Sequence, residues 1–222
     1  MIVDVVTENR AESDEEGRAE NETVYATIKT SAAKLFASQG VGATSMRQIA
    51  RAAGLHVSSL YYYFATKDQL YRAVIGDALD VIGEAASRSL KTSGGAKSHL
   101  EHFVGAIIDL FASETVEMAL IEQCLHGPNS KYSLEIGKAV ILERRDVRQQ
   151  ITEIIESTSA DILKRIPADR LGDLIFAMIY GIVTFRAMRE SVNSSERLTT
   201  VAITEEVMAM LDAMLGLSSQ KE

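Results

Sequence analysis

The stretch TSMRQIARAAGLHVSSLYYYFATK, residues 44–67, decides how the chain is read. Ser45-Met46-Arg47-Gln48 has the form of a capping box, in which a hydroxyl and a Gln side chain take up free amides at a helix start. Met46, Ile49, Ala50 and Ala53 recur at helical spacing, and Gly54 follows where a helix stops in a left-handed residue and turns. A second helix is expected from His56 to Phe64. Ala50 is small enough for it to approach, and Leu55 and Leu60 pack the pair, which is the pattern of a helix-turn-helix. Thr66-Lys67-Asp68-Gln69 repeats the capping box and opens a further helix, in which Leu70, Val74, Ala78, Val81, Ile82 and Ala85 continue to about Leu90.

Upstream, Val24, Ile28, Ala32, Leu35 and Phe36 share one helical face that Gly40 ends, giving the first helix of a three-helix head. Residues 1–22 are acidic and have almost no apolar periodicity after Val6, so the composition predicts a disordered arm. The full chain of 222 residues has a net charge of −8, which taken whole argues against a nucleic-acid partner. The charge is uneven, however: −6 over residues 1–22, +5 over residues 23–75 and −7 over the remainder. Only the helix-turn-helix segment is basic, and that is the segment that would face phosphates.

The head resembles the tetracycline-repressor (TetR) family of bacterial transcriptional regulators. The residues that carry the resemblance are Gly40, Thr44, Arg47, Ile49, Ala50, Ala53, Gly54, Leu55, the run Ser59-Leu60-Tyr61-Tyr62-Tyr63-Phe64, and Lys67 with Leu70. It covers residues 24–75, with His56 standing where many members have a capping Ser and Val57 where many have a polar residue or Pro. Base preference therefore does not carry over. The resemblance implies an all-helical body that encloses an apolar small-molecule cavity, pairs with a second copy, and releases DNA when ligand alters the distance between two heads.

The body is expected to be all-helical on its own pattern too, since strand-like alternation appears nowhere. Residues 91–96, KTSGGA, break the chain, and Ser98-His99-Leu100-Glu101 reads as a third capping box before a helix faced by Leu100, Phe103, Val104, Ile107, Ile108 and Phe111. A shorter helix, about residues 114–125, precedes a loop at residues 126–131, and a long helix is expected over residues 134–157. The run LGDLIFAMIYGIVTF, residues 171–185, is too short to span a membrane and is bracketed by Asp173 and Arg186. A helix so apolar all round would hide one face in its own core and the other against a second chain. With the last helix, residues 201–215, it would form a four-helix interface from two copies, for which Tyr180 and Met208 are the marker positions.

The fold expected is thus all-α: an acidic arm (1–22), an N-terminal helix-turn-helix domain (23–70, its linking helix reaching about residue 90), and a C-terminal helical ligand-binding and dimerisation domain (91–222). Val57, Ser58 and Ser59 at the start of the second helix of the motif would meet base edges, and Arg47 a guanine or a phosphate. Thr44, Ser45, Tyr62 and Lys67 would position the phosphate backbone, and Tyr61 shares the Val57 face. Tyr63 and Phe64 are assigned to packing. His102, Phe103, Ile107, Phe111, Met118, Cys124, Phe176 and Tyr180 are candidates to line an effector cavity, for an uncharged or amphipathic ligand.

No catalytic motif appears, so no enzyme activity is expected. His99-Leu100-Glu101-His102 sets two imidazoles one turn apart but with no third ligand, so neither a metal nor a cofactor is called. A single cysteine, Cys124, excludes an internal disulfide, and the start of the chain lacks a signal-peptide pattern, so a cytoplasmic location is expected. The function read from the sequence is a ligand-responsive homodimeric regulator, most simply a repressor, on a near-palindromic operator. The alternative is an architectural DNA-binding protein without an inducer.

Overall fold

A computed structural model of the chain describes residues 3–113, 115–126, 145–158, 161–192 and 199–217. In order these form α1 (Val3–Ala43), α2 (Met46–Ala52), α3 (Val57–Tyr63), α4 (Lys67–Leu90), α5 (Ala96–Ala112), α6 (Val116–His126), α7 (Arg145–Ser157), a turn of 3-10 helix (Asp161–Lys164), α8 (Ala168–Val192) and α9 (Thr200–Leu215). Among the described residues there is no strand, and no described helix is long and apolar enough to cross a membrane. The architecture is all-α, as the periodicity predicts. The residues group into two compact units, Met1–Ala78 with Ala119–Gly127, and Leu79–Met118 with Pro128–Glu222.

In the N-terminal unit, Ile28, Ala32 and Phe36 of α1 are fully buried at successive turns, as are Ile49 of α2, Leu60 of α3 and Leu70 of α4. Phe36 meets the ring of Tyr71 edge-on at 5.3 Å between centroids, an arrangement that the ring quadrupoles favour. Gly40, at φ 79° and ψ 158°, interrupts the helical backbone of α1 near its end, where the apolar face predicts a stop. The start of α1 differs from expectation. Helix runs back to Val3 through residues whose composition predicts an unordered arm. Ala, Glu and Arg are strong helix formers, and extending an existing helix avoids the cost of nucleating one, so local propensity prevails over low hydrophobicity here.

The C-terminal unit has one apolar core. It is built from Leu100, Phe103, Val104, Ile107 and Ile108 of α5, Val147, Ile151 and Ile155 of α7, Leu171, Ile175 and Ile179 of α8, and Ile203, Val207, Met208, Leu211 and Leu215 of α9. Each row has the spacing of a single helical face, and α5 packs on α9 as α7 packs on α8. Arg148 donates from Nη2 to Asp173 Oδ2 at 2.7 Å across the α7 and α8 pair, a half-exposed contact of small stabilising effect.

Three expectations for this unit change. The Ser98 box is not formed: α5 begins at Ala96 with Gly95 as N-cap, so Ser98 already lies inside the first turn and its hydroxyl turns back to the Ser93 carbonyl. The apolar run of α8 is not buried on every side, because Leu174 is 53% exposed and Ala177 and Gly181 are exposed with it. On α9, Met208 faces the core, whereas Met210 (49%) and Val201 (65%) face outward. The expected loop at residues 126–131 and the first part of the helix expected over residues 134–157 lie largely outside the described residues, as does the side chain of Tyr180; only the end of that helix is seen, as α7.

Phe103, 1% exposed at the centre of the α5 row, reports on the C-terminal core. Phe103→Ala is expected to lower the unfolding free energy by about 3–5 kcal/mol, read from urea denaturation, and a loss well under 1 kcal/mol would show that the core is not organised on this face.

Candidate nucleic-acid interface

Ser45 is the N-cap of α2, with extended backbone at φ −108° and ψ 152°. Its Oγ accepts from Gln48 N at 3.3 Å, while Ser45 N donates to Gln48 Oε1 at 2.8 Å, so the capping box forms reciprocally. At the other end, the backbone amide of Leu55 donates to the carbonyl of Ala50 at 2.9 Å, and Gly54 takes φ 70°, a conformation that a side chain would oppose. The turn between α2 and α3 is therefore set by backbone bonds and one glycine. Thr66 and Gln69 cap α4 in a similar manner, Gln69 N donating to Thr66 Oγ1 at 3.1 Å and Gln69 Oε1 accepting from Ala65 N at 3.1 Å.

Of the seven residues of α3, only Leu60 is buried. Val57, Ser58, Ser59, Tyr61 and Tyr62 are exposed, Tyr62 at 82%. Ser45, Arg47 and Arg51 of the preceding helix are exposed as well. His56 precedes α3 as its N-cap without a side-chain cap bond, consistent with its departure from the usual serine. Tyr63 and Phe64 hold the far end of α3: the Tyr63 hydroxyl donates to Asn21 Oδ1 at 2.7 Å, and Phe64 stacks on Tyr25 at 4.9 Å between centroids. The assignment of these two aromatics to packing holds. The Asn21 contact has no local signal in the sequence.

Two positions assigned to backbone phosphates are placed differently. Thr44 is 1% exposed, and its Oγ1 donates to the carbonyl of Gly40 at 2.8 Å while accepting from Gln39 Nε2 at 3.1 Å. Lys67 donates from Nζ to the carbonyls of Val41 at 2.6 Å and Thr44 at 2.8 Å. Both side chains satisfy backbone groups left open where α1 ends, a demand that helix termini always create.

The described candidates for an effector cavity belong to both units. Phe103 and Ile107 lie in the core of the C-terminal unit, with Phe111 and Phe176 partly buried against it. Met118 is buried near the start of α6. His102 is exposed, its Nδ1 donating to the Ser98 carbonyl at 2.8 Å. Cys124 belongs to the N-terminal unit, where its thiol meets the Tyr71 hydroxyl, and neighbouring Gln123 donates from Nε2 to the Ala37 carbonyl at 2.6 Å. Nothing in the local pattern of α6 announces that its end belongs with the head. His99 has its two ring nitrogens at 2.8 Å and 2.9 Å from the carbonyls of Leu90 and Gly94, beside a cleft of about 370 Å³ that Gln150, Glu153 and Ile154 also line. Among the described residues no three His, Cys, Asp or Glu side chains come together as metal ligands.

Residues 28–74 match the sequence profile of the bacterial regulatory proteins of the tetR family. Over these residues the chain is similar to the TetR family. The HTH-type transcriptional repressor KstR2 of Mycolicibacterium smegmatis is 30% identical over 132 residues, which is 59% of this chain and 62% of that protein. The chain thus aligns with less than two thirds of that relative. The HTH-type transcriptional regulator BetI of Rhizobium meliloti is 25% identical over 178 residues, 79% of this chain and 82% of BetI. The crystal structure of AibR, in complex with isovaleryl coenzyme A and operator DNA, shares the fold with a TM-score of 0.60 at 20% identity, over 84% of this chain and 97% of AibR. The TetR-type head lies within the N-terminal unit that the contacts define.

Burial pushes the Cys124 thiol up from its ordinary value, with the Tyr71 hydroxyl opposing that shift in part. Such a thiol is protonated and shielded, and so a poor nucleophile. At pH 8 the folded chain is expected to react with an aromatic disulfide reagent at least about 100-fold more slowly than the urea-unfolded chain, and equal rates would show that Cys124 is reachable in the native fold.

Proposed function

We propose that the chain is a homodimeric transcriptional regulator that reads duplex DNA with α3 and answers to a small apolar or amphipathic effector, acting as a repressor. The observation that carries this reading is α3 itself: its only buried residue is Leu60, Tyr63 holds its far end, and Val57, Ser58, Ser59, Tyr61 and Tyr62 are exposed. A helix that contributes so little to a core is there for what its outer face meets. A major groove admits one α-helix, and Val57 offers contact to a thymine methyl while Ser58 and Ser59 donate or accept at base edges. Arg47 and Arg51 supply positive charge beside it, in the one segment of the chain with a net positive balance. Ser45, Arg47, Val57, Ser58, Ser59, Tyr61 and Tyr62 are the proposed DNA-facing set.

One such helix discriminates too little for a genome, so a two-fold pair of heads on a near-palindrome is part of the proposal. The pairing face is proposed on the outer sides of α8 and α9, where Leu174, Val201 and Met210 are exposed. Apolar side chains of this size are costly to leave in water. Effector control is proposed to act in the C-terminal unit through space around Phe103, Ile107, Phe111, Met118 and Phe176, all but Met118 packed in or against its apolar core. AibR, crystallised with an acyl-coenzyme A ester and operator DNA, is a fold relative for which both ligand classes are on record. A ligand acts only through differential affinity for two head spacings, and α4, which contributes residues to both units, is the element available to transmit the difference.

Two measurements test this. Arg47→Ala is expected to weaken binding to a duplex selected by the wild-type chain from a random pool at least several-fold while leaving the dimer intact, and an unchanged affinity would show that α2 does not face DNA. Leu174→Asp with Met210→Asp is expected to shift the chain to monomer in sedimentation velocity and to weaken duplex binding with it. A stable dimer after both changes would place the pairing face elsewhere.

A further inference from the structure

We infer that Lys67 is a positioning residue: its ammonium ties the end of α1 to the entry of α2 and thereby fixes how the head presents Ser45, Arg47 and α3, and it does not serve as a phosphate clamp. The inference rests on the DNA-binding reading only for its second readout. Lys67 is the first residue of α4, where the helix dipole disfavours a cation. Its side chain turns away from that end and places Nζ between two carbonyl oxygens, Val41 at 2.6 Å and Thr44 at 2.8 Å. These carbonyls belong to the stretch after Gly40 breaks the helical backbone, where a helix end leaves acceptors open and favours a cation. An ammonium has three protons, so two are committed here to short, charge-assisted bonds in a partly buried setting.

The neighbouring side chain completes the arrangement. Thr44 donates from Oγ1 to the Gly40 carbonyl at 2.8 Å and accepts from Gln39 at 3.1 Å, and the next residue, Ser45, is the N-cap of α2. The carbonyls of Gly40, Val41 and Thr44 are thus held by Thr44 and Lys67 together. Because α2 and α3 are joined by a turn of fixed backbone geometry, fixing the entry of α2 fixes α3 as well.

The test uses the full-length chain carrying Lys67→Met, which keeps the aliphatic stem and removes the donors. In the free protein, the Leu55 amide reports on the helix-turn-helix through its bond to Ala50, and its hydrogen exchange is expected to speed up at least tenfold. On a duplex that the wild-type chain selects from a random pool, affinity is expected to fall at least tenfold, with the slope of log K against log salt and the affinity for random-sequence duplex unchanged. Loss of a phosphate contact would instead lower the slope by about 1 and weaken both duplexes alike. That pattern, or unchanged exchange at Leu55, overturns the inference. If the wild-type chain selects no duplex, the DNA-binding reading falls and the exchange rate alone decides the role of Lys67. If Lys67→Met does not fold, Lys67→Arg decides: it keeps the charge but replaces a point donor by a longer planar fork. Faster Leu55 exchange in Lys67→Arg supports the positioning role, and wild-type exchange overturns it.

Discussion

A helix of seven residues cannot persist on its own hydrogen bonds, because nucleation costs more than two turns return. α3 is that helix, and the N-terminal unit is organised around holding it. Leu60 is fully buried, as are Ile28, Ala32, Phe36, Ile49 and Leu70 of the same unit, while Phe64 and Tyr63 anchor the far end on Tyr25 and Asn21. The remaining residues of α3 are thereby released from any duty in the core. An outward face of small hydroxyls, one valine and two tyrosines is the consequence, and that face is what the proposed DNA reading uses.

The polar bonds at the ends of these short helices are as necessary as the core. The Ser45 and Gln48 box closes the start of α2, Gly54 allows the turn, Thr66 and Gln69 close the start of α4, and Lys67 with Thr44 closes the end of α1. Each arrangement answers a backbone demand that no amount of apolar burial satisfies. The C-terminal unit is built on the opposite economy, long helices joined through rows of Leu, Ile, Val and Phe. Its outward apolar residues, Leu174, Val201 and Met210, are not needed for that core, which is why they are open to a role between chains.

Most of the helical frame was legible in the sequence because caps, glycine stops and apolar periodicity are local. The helix-turn-helix, the Ser45 and Thr66 caps and the inward row of α5 follow from spacings of three or four residues. Features decided by distant parts of the chain were not legible. The bond of Tyr63 to Asn21, the meeting of Cys124 with Tyr71, and the capture of the Val41 and Thr44 carbonyls by Lys67 join residues far apart in sequence. The Ser98 box failed for a different reason: a cap is recognised only relative to a helix start, and the start moved to Ala96. At the candidate site, exposure separated Arg47, Val57, Ser58, Ser59, Tyr61 and Tyr62 from Thr44, which the motif alone placed in the same group.

The account turns on two copies of α3 meeting one duplex through a two-fold pair. Hydroxyl-radical footprinting of the wild-type chain on a selected duplex addresses this directly. Two protected patches related by two-fold symmetry, their centres about one helical turn or a multiple of it apart, are the predicted result. A single patch, or protection spread evenly along the duplex, would contradict it.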